Sequence, residues 1–599
     1  MKRQAGRPGD VPDSITVEVI RGFLETVCDE MSLTMKRTAV TPIFSESSDY
    51  SCAVMDGRSR LIAQALRTAS LPVHMGAMKF SVEGVLRDFA GDIHDGDIFL
   101  VNDPYHGGSH IPDLTMVMPV HFGGELVLFP AVRAHQMDTG AMTPGSYSPT
   151  ATEIWQEGLR LPPIRICDGG RLREDLVRML ELNTRLPTFR GDLMAMLAAC
   201  RIGARRIHEL LSKYGVVTVR AACDEAIARG VRRIRATVAA WPDGDYVGEA
   251  FLDHDGMGTI DINVRCTLRI RGDRLCVDLT GSHTQVASYV NSSKANSYSN
   301  IYLGVATMMD PEIPKNEAFF EAVDIVLPAH SVVNADPPAP VTACTLNIGG
   351  EIAEAVAYAF EAIEPERVYP QTLKIGALVM SVGMHPDSGE LFLDANIDST
   401  AGWSSAVHGM DGWGGLPNHY GMATLANAEI VEMRFPYRVV ERELAPDTGG
   451  AGQWRGCCGS RGVKRVLAPM LLNFSAVGRR WPVRGIAGGR DGSPNCWTMD
   501  WGTPQAREAT GLGYMVPLAP DTNWCFQLGG GGGWGDPLDR DPAAVLEDVL
   551  DGYVSARGAK ADYGVVLSED GRAVDTGATS AEREALRRAR LAMAAPARS

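Results

Sequence analysis

The sequence predicts a multi-domain α+β protein with mixed and antiparallel sheets and a helical insert. Three observations carry that expectation. With 599 residues, the chain has room for roughly three to four domains. Residues 171 to 240 carry apolar stripes at helical spacing, whereas the flanking regions hold short apolar or alternating runs separated by turn signals. Apolar residues make up 45% and charged residues 22% of the chain, ordinary values for packed domains that argue against wholesale disorder.

Residues 1–12 are polar and contain Gly and Pro, and are expected to form a disordered start. Asp13-Ser14 is a cap signal for a helix running to about Ala39, with Val19, Phe23, Val27 and Met31 on its buried face. Ser51 to Gln64 reads as a hairpin turning at Asp56-Gly57. Ile98–Val101, Thr115–Val120 and Leu126–Val132 read as core strands. With the loops between them they make a catalytic region over 13–170. Leu172–Leu186 and Arg190–Tyr214 supply the helical segment 171–240.

A mixed region over 241–365 alternates like strands at Val264–Ile270 and Leu275–Leu279, then closes on a small-residue helix at Ile352–Ile363. Residues 366–540 are β-rich and Gly-rich. The run Gly529–Gly533 lacks the Lys-Ser/Thr of a phosphate loop and reads as a flexible or tightly packed turn. Asp541-Pro542 opens a last helix within 541–599, whose end from about 575 reads as a frayed helical tail.

Bulk chemistry narrows the function classes. The net charge of −16, without basic runs, disfavours nucleic acid and anionic membranes as partners. No window reaches about 18 continuous apolar residues, so no membrane span is expected. The twelve cysteines include no Cys-x-x-Cys, and no signal peptide is apparent, so reduced thiols in a cytoplasm fit best. Cys457-Cys458 reads as a buried or structural pair.

The chemistry concentrates in Asn102-Asp103-Pro104-Tyr105-His106-Gly107-Gly108-Ser109-His110-Ile111-Pro112-Asp113 and in Arg133-Ala134-His135-Gln136-Met137-Asp138-Thr139-Gly140. Each cluster holds His-x-x-Asp: His110 with Asp113, and His135 with Asp138. Both sit where strands end, a usual place for chemistry on a rigid frame. Imidazole and carboxylate ligands with open positions suit Mn, Zn or Fe, and the missing thiolates argue against a closed structural zinc. Asp103, before proline, reads first as a turn former. Asp49 reads on its own as a surface or turn acid.

Together with Glu157-Gly158-Leu159-Arg160-Leu161-Pro162-Pro163, Ile313-Pro314-Lys315-Asn316, Asn334-Ala335-Asp336-Pro337-Pro338-Ala339-Pro340-Val341 and Gly-Gly-Gly-Gly-Trp-Gly-Asp-Pro, these loops resemble the hydantoinase B family. Relatives there are N-methylhydantoinase and caprolactamase β subunits, 5-oxoprolinase and the acetone carboxylase α subunit. The resemblance runs from about residue 13 to about 570. It implies a hydantoinase A-type ATPase partner that carries ATP, a hetero-oligomer such as (αβ)2, and a divalent metal, Mn or Zn, on this chain. It implies His110, Asp113 and His135 as ligands, with Asp49 completing the site or taking a proton, which reverses the reading of Asp49 from its neighbours alone. Asp138 is then expected to orient His135, and Asn102, His106 and Glu157 to meet substrate. One departure is Glu317-Ala318-Phe319-Phe320 after Asn316, where the family often has glycine.

Three functions follow as expectations. The first is the hydrolytic subunit of an ATP-dependent amidohydrolase that opens a carbonyl-phosphorylated hydantoin, lactam or oxoproline-like ring. The second is the α-type subunit of an ATP-dependent ketone carboxylase. The third is a non-catalytic scaffold with a vestigial metal loop.

Overall fold

The computed structural model describes residues 12–68, 71–368, 374, 379–396, 404–413 and 425–594. The expected disordered start lies outside these residues apart from Pro12. The N-terminal region is one antiparallel sheet of β1 (Tyr50–Asp56), β2 (Leu61–Gln64), β3 (Ile98–Val101), β4 (Asp113–Val117), β5 (Val120–Phe122), β6 (Glu125–His135), β7 (Ile164–Asp168) and β8 (Arg171–Leu172). Its order is β2-β1-β6-β4-β3-β7-β8, with β5 also on β6.

Helices cover both faces of this sheet. They are α1 (Ser14–Thr38), the short α2 (Pro42–Ser45), α3 (Met75–Asp88), α4 (Glu174–Leu182), α5 (Phe189–Tyr214) and α6 (Val216–Val238). Cys52, Val54, Met116, Val132 and Ala134 join the core of α1 and α5. Their alternating neighbours Ala53, Met55, Val117, Phe129 and Ala131 pack against α3. A strand covered on both faces reads as a continuous apolar run, and its period of two survives only in which core each residue joins.

Local details depart from the sequence reading for identifiable reasons. Asp13 caps α1 by accepting from Thr16 N, but Val19 is exposed and the buried stripe is Val17, Ile20, Leu24, Val27, Cys28, Met31 and Met35. Steps of four residues advance about 40° past a full turn, so the expected stripe drifts around the helix, whereas steps of three and four hold one face. The first hairpin does not turn in two residues. Asp56 Oδ1 accepts from Arg58 N and Arg60 N at 2.8 and 2.9 Å, making a longer Asx-type connection. The expected strand Thr115–Val120 starts at Asp113 and breaks before Pro119, which has no N–H to give a ladder.

A second sheet is formed by β9 (Gly244–His254), β10 (Ile260–Arg271), β11 (Arg274–Asp278) and β12 (Val323–Val326), with β12 parallel to β11. The crossover contains α7 (Lys294–Ala306), which the sequence reading missed. Asn296, Ser297, Ser299 and Asn300 of α7 are buried, so it shows no apolar stripe. Ser297 Oγ bonds Val333 O, and Asn296 Nδ2 bonds Cys344 O, which satisfies these groups in place of water. The helix Ile348–Phe360 packs on β9 and β10.

The C-terminal half holds two further antiparallel sheets, of four and five strands among the described residues. The Gly529–Gly533 run is a packed spine: a Cβ on Gly530 would collide with the Thr448 carbonyl and one on Gly531 with the Ser404 carbonyl. Asp541 caps the helix Pro542–Leu550, and Thr576–Ala594 is helical. All twelve cysteines are free, Cys457 and Cys458 among the buried ones. Among the described residues no helix is long and apolar enough to cross a membrane.

Candidate metal centre

The site lies at the end of the α3-covered face, where three neighbouring strands finish together. Asp113 opens β4 directly opposite His135, the last residue of β6. Opposed residues of an antiparallel pair point to the same face, so both side chains project toward the same space. Asp49 precedes β1, and its carbonyl accepts from His135 N at 3.1 Å. His110 arrives by a turn in which Asp113 N donates to His110 O at 3.1 Å, folding the two side chains together.

His110, Asp113 and His135 are buried, and one ligand atom from each lies within 4.8 Å of the others. His110 Nε2 is 2.9 Å and His135 Nδ1 is 3.3 Å from Asp113 Oδ1. His110 Nδ1 faces Thr342 O at 2.6 Å. A carbonyl only accepts, so Nδ1 carries a hydrogen and Nε2 is the nitrogen turned toward the carboxylate. Among the described residues His110 Nε2 is buried with Asp113 Oδ1 as its polar neighbour and makes no well-aligned hydrogen bond. At 2.9 Å from Asp113 Oδ1 that nitrogen calls for a cation between the two, a proton or a metal ion. The donor set of nitrogens plus carboxylate, and this orphaned atom, fit a divalent metal, and the group can hold one.

Charge supports the same reading. Burial works to raise the Asp113 carboxyl, but the pull of His110, with the contacts to His110 and His135, outweighs it and holds it well below the usual carboxylate range. Burial opposes a charge on His135, yet the bond to Asp113 and the field of Asp49 lift its pKa. Asp49 has a side chain 19% exposed, and burial pushes it up to about 6 against the pull of His135. Tyr147 stacks on His135 with ring centroids 5.7 Å apart. Arg133, two residues before His135 on the same strand face, is fully buried and bonds Thr115 Oγ1 and Ser81 Oγ.

His74 escaped the sequence reading. It ends a short 3-10 turn, Pro72–His74, just before α3. Ser51 Oγ donates to Leu71 O and accepts from Leu71 N, so His74 Nδ1, 3.1 Å away, must donate to it. Its Nε2 lone pair then faces Asp113 Oδ2 at 3.6 Å and Asp49 Oδ1 at 3.9 Å. Burial drives the His74 pKa down to about 3. Nothing in the spacing singles His74 out, because it lies outside the histidine-dense stretch and reaches the site only through the fold.

Four other expected site residues stand elsewhere. Asp138 does not touch His135: its carboxylate accepts from Arg185 N, Arg185 Nη1 and Gly145 N. The chain leaves the strand at His135, so the second His-x-x-Asp does not fold back as the first does. Asn102 is a buried staple, with Nδ2 on Ile111 O and Leu159 O and Oδ1 receiving Leu161 N. Glu157 is fully buried and accepts from Val341 N and Thr342 N. Burial pushes it up to about 8. His106 has a side chain 46% exposed and pairs with Asp103 at 3.2 Å, outside the cluster. Asp103 forms the turn expected of it, Oδ1 accepting from Tyr105 N, and also binds Arg160.

Residues 13–537 match the family described as Hydantoinase B/oxoprolinase. The caprolactamase subunit beta of Pseudomonas jessenii is 34% identical over 96% of this chain and 99% of its own length. The crystal structure of the ATP-dependent caprolactamase from Pseudomonas jessenii superposes with a TM-score of 0.90 at 33% identity, over 96% of this chain and 100% of that one. A nucleotide-free acetone carboxylase structure gives a TM-score of 0.89 over 98% of this chain and 84% of that one, at 20% identity, a likeness of fold alone.

Proposed function

The chain belongs to the hydantoinase B/oxoprolinase family, and from that premise we propose that it is the metal-binding B-type subunit of an ATP-dependent enzyme that hydrolyses a cyclic amide, a lactam or hydantoin. The observation that carries the reading is the buried convergence of His110, Asp113 and His135. The end-to-end likeness to a caprolactamase β subunit supports it.

Cyclic amides resist hydrolysis because resonance stabilises them. On this reading a hydantoinase A-type partner uses ATP to phosphorylate the amide oxygen, which makes the ring carbon electrophilic. The activated amide then meets water at the cluster. A divalent cation, Mn or Zn, held there by His110, Asp113 and His135 would supply Lewis acidity and lower the pKa of a water. The Thr342 carbonyl and the bond to Asp113 hold the two imidazoles in place. Asp49, half-buried beside them, is placed to complete the ligand set or to receive the proton of the attacking water. Tyr147 covers the rings and helps exclude bulk solvent.

The test is reconstitution with a hydantoinase A-type subunit. Lactam- or hydantoin-dependent ATP hydrolysis is expected, with ring opening, and His110→Ala should abolish both ring opening and bound metal. Full ring opening by the His110→Ala protein, or metal-free wild type that turns over normally, would refute the assignment.

A further inference from the structure

We propose that Glu157 is a positioning residue of the metal centre: its carboxyl group clamps the Val341–Thr342 backbone, whose next carbonyl aims His110 and keeps the ring hydrogen on Nδ1. The proposal rests on the reading of His110 as a metal ligand and goes beyond it.

The geometry runs in one unbroken path. Glu157 ends a single 3-10 turn, Ile154–Glu157, and is fully enclosed. Its two oxygens accept from consecutive amides, Oε2 from Val341 N at 2.9 Å and Oε1 from Thr342 N at 2.8 Å. No ion pair among the described residues compensates it. A buried carboxyl group is costly without hydrogen-bond partners, and the two convergent N–H groups supply them. Those contacts pin the two peptide planes that precede Thr342. The carbonyl of Thr342 then meets His110 Nδ1 at 2.6 Å, which leaves Nε2 directed at Asp113 Oδ1.

Other contacts share the work of holding this segment. Tyr105 Oη donates to Ala339 O at 2.6 Å, Ile154 N to Pro338 O at 2.8 Å, and Asn291 Nδ2 to Pro340 O at 3.0 Å. Cys344 N donates to Val341 O and Ala343 N to Tyr289 O, both at 3.0 Å, and Glu157 adds the side-chain clamp on the two amides, Val341 N and Thr342 N. The partner of a ligating imidazole's other nitrogen decides its tautomer and ring angle, and ligand placement must hold to about 0.5 Å for full affinity. The Glu-Gly-Leu-Arg-Leu motif therefore serves the metal from behind, through a segment nearly two hundred residues away in sequence.

The test compares wild type, Glu157→Gln and Tyr105→Phe as full-length protein loaded with Co(II), by competition binding and visible absorption. In Glu157→Gln the amide's NH2 faces an N–H donor, so one of the two contacts must break. Co(II) affinity is expected to fall about 10–100-fold, with a shifted absorption spectrum, while circular dichroism and the melting temperature of the metal-free protein stay near wild type. Tyr105→Phe, which loosens the same segment without touching residues 341 and 342, is expected to keep the wild-type spectrum. A folded Glu157→Gln protein with wild-type affinity and spectrum overturns the proposal. If Glu157→Gln does not fold, Glu157→Asp is read the same way, and failure of both to fold overturns it in favour of a folding role alone. Wild type that binds no Co(II) sinks the metal reading itself, a result separate from all of these.

Discussion

Replacing Asn102 with alanine separates a staple from a substrate contact. The side chain is 1% exposed and makes three bonds, to Ile111 O at 2.8 Å, to Leu159 O at 3.0 Å and from Leu161 N at 2.7 Å. Alanine leaves two carbonyls and one N–H in a dry interior. At a net of about 1 kcal/mol for each bond the loop loses about 3 kcal/mol against local opening. That is roughly a 100-fold rise in the open population. Hydrogen exchange read by mass spectrometry on the free protein should therefore show the Asn102–Asp113 loop and Gly158–Leu161 exchanging roughly 100-fold faster, with distant core strands unchanged. Unaltered exchange in the free protein together with a raised KM would refute this reasoning and restore Asn102 to the substrate.

Three further outcomes follow from the same structure. Asp138→Asn should leave bound metal at the wild-type level, by elemental analysis, while loosening the Arg185 connection in urea melts, because Asp138 serves Arg185 and not His135; loss of metal would contradict the geometry. Glu351, buried beside Glu354 and Lys374, is pushed by burial up to about 7. Its folded pKa lies above its unfolded value, so the stability it contributes is present below pH ~4.5 and is lost as pH rises through 7, about 3 kcal/mol in all. Glu351→Gln should therefore gain on wild type by about that amount between pH 4.5 and 8 in denaturant titrations, and parallel pH profiles would count against it. Gly531→Ala places a Cβ against the Ser404 carbonyl, and should cost about 1–3 kcal/mol or more; an unchanged melting temperature would show that the spine can give.

How much of the site was legible depended on how its parts are joined. His110 and Asp113 were readable because a tight turn folds them together, and a turn is a property of neighbouring residues. His135 was readable as a nitrogen beside glycines at a strand end. Asp138 misled because the same four-residue pattern does not imply the same turn. His74 and Arg133 join the centre through α3 and strand register, and nothing in their spacing predicts either. The missed helix α7 has the same origin: its buried Asn and Ser find partners only in distant loops, so its polarity imitates a solvent-exposed segment.

The sequence by itself determined the α+β character, most sheet strands, the helical block after the first sheet and the residues that can ligate a metal, because propensity, turn chemistry and motif are local. Tertiary structure decided which of those residues meet. Pairing β4 with β6 and β6 with β1 brought Asp113, His135 and Asp49 to one edge, and the clamp of Glu157 on Val341–Thr342 aimed His110 into it. Those placements rest on hydrogen bonds between segments far apart in the chain, which form only once the whole sheet and its covering helices are in place.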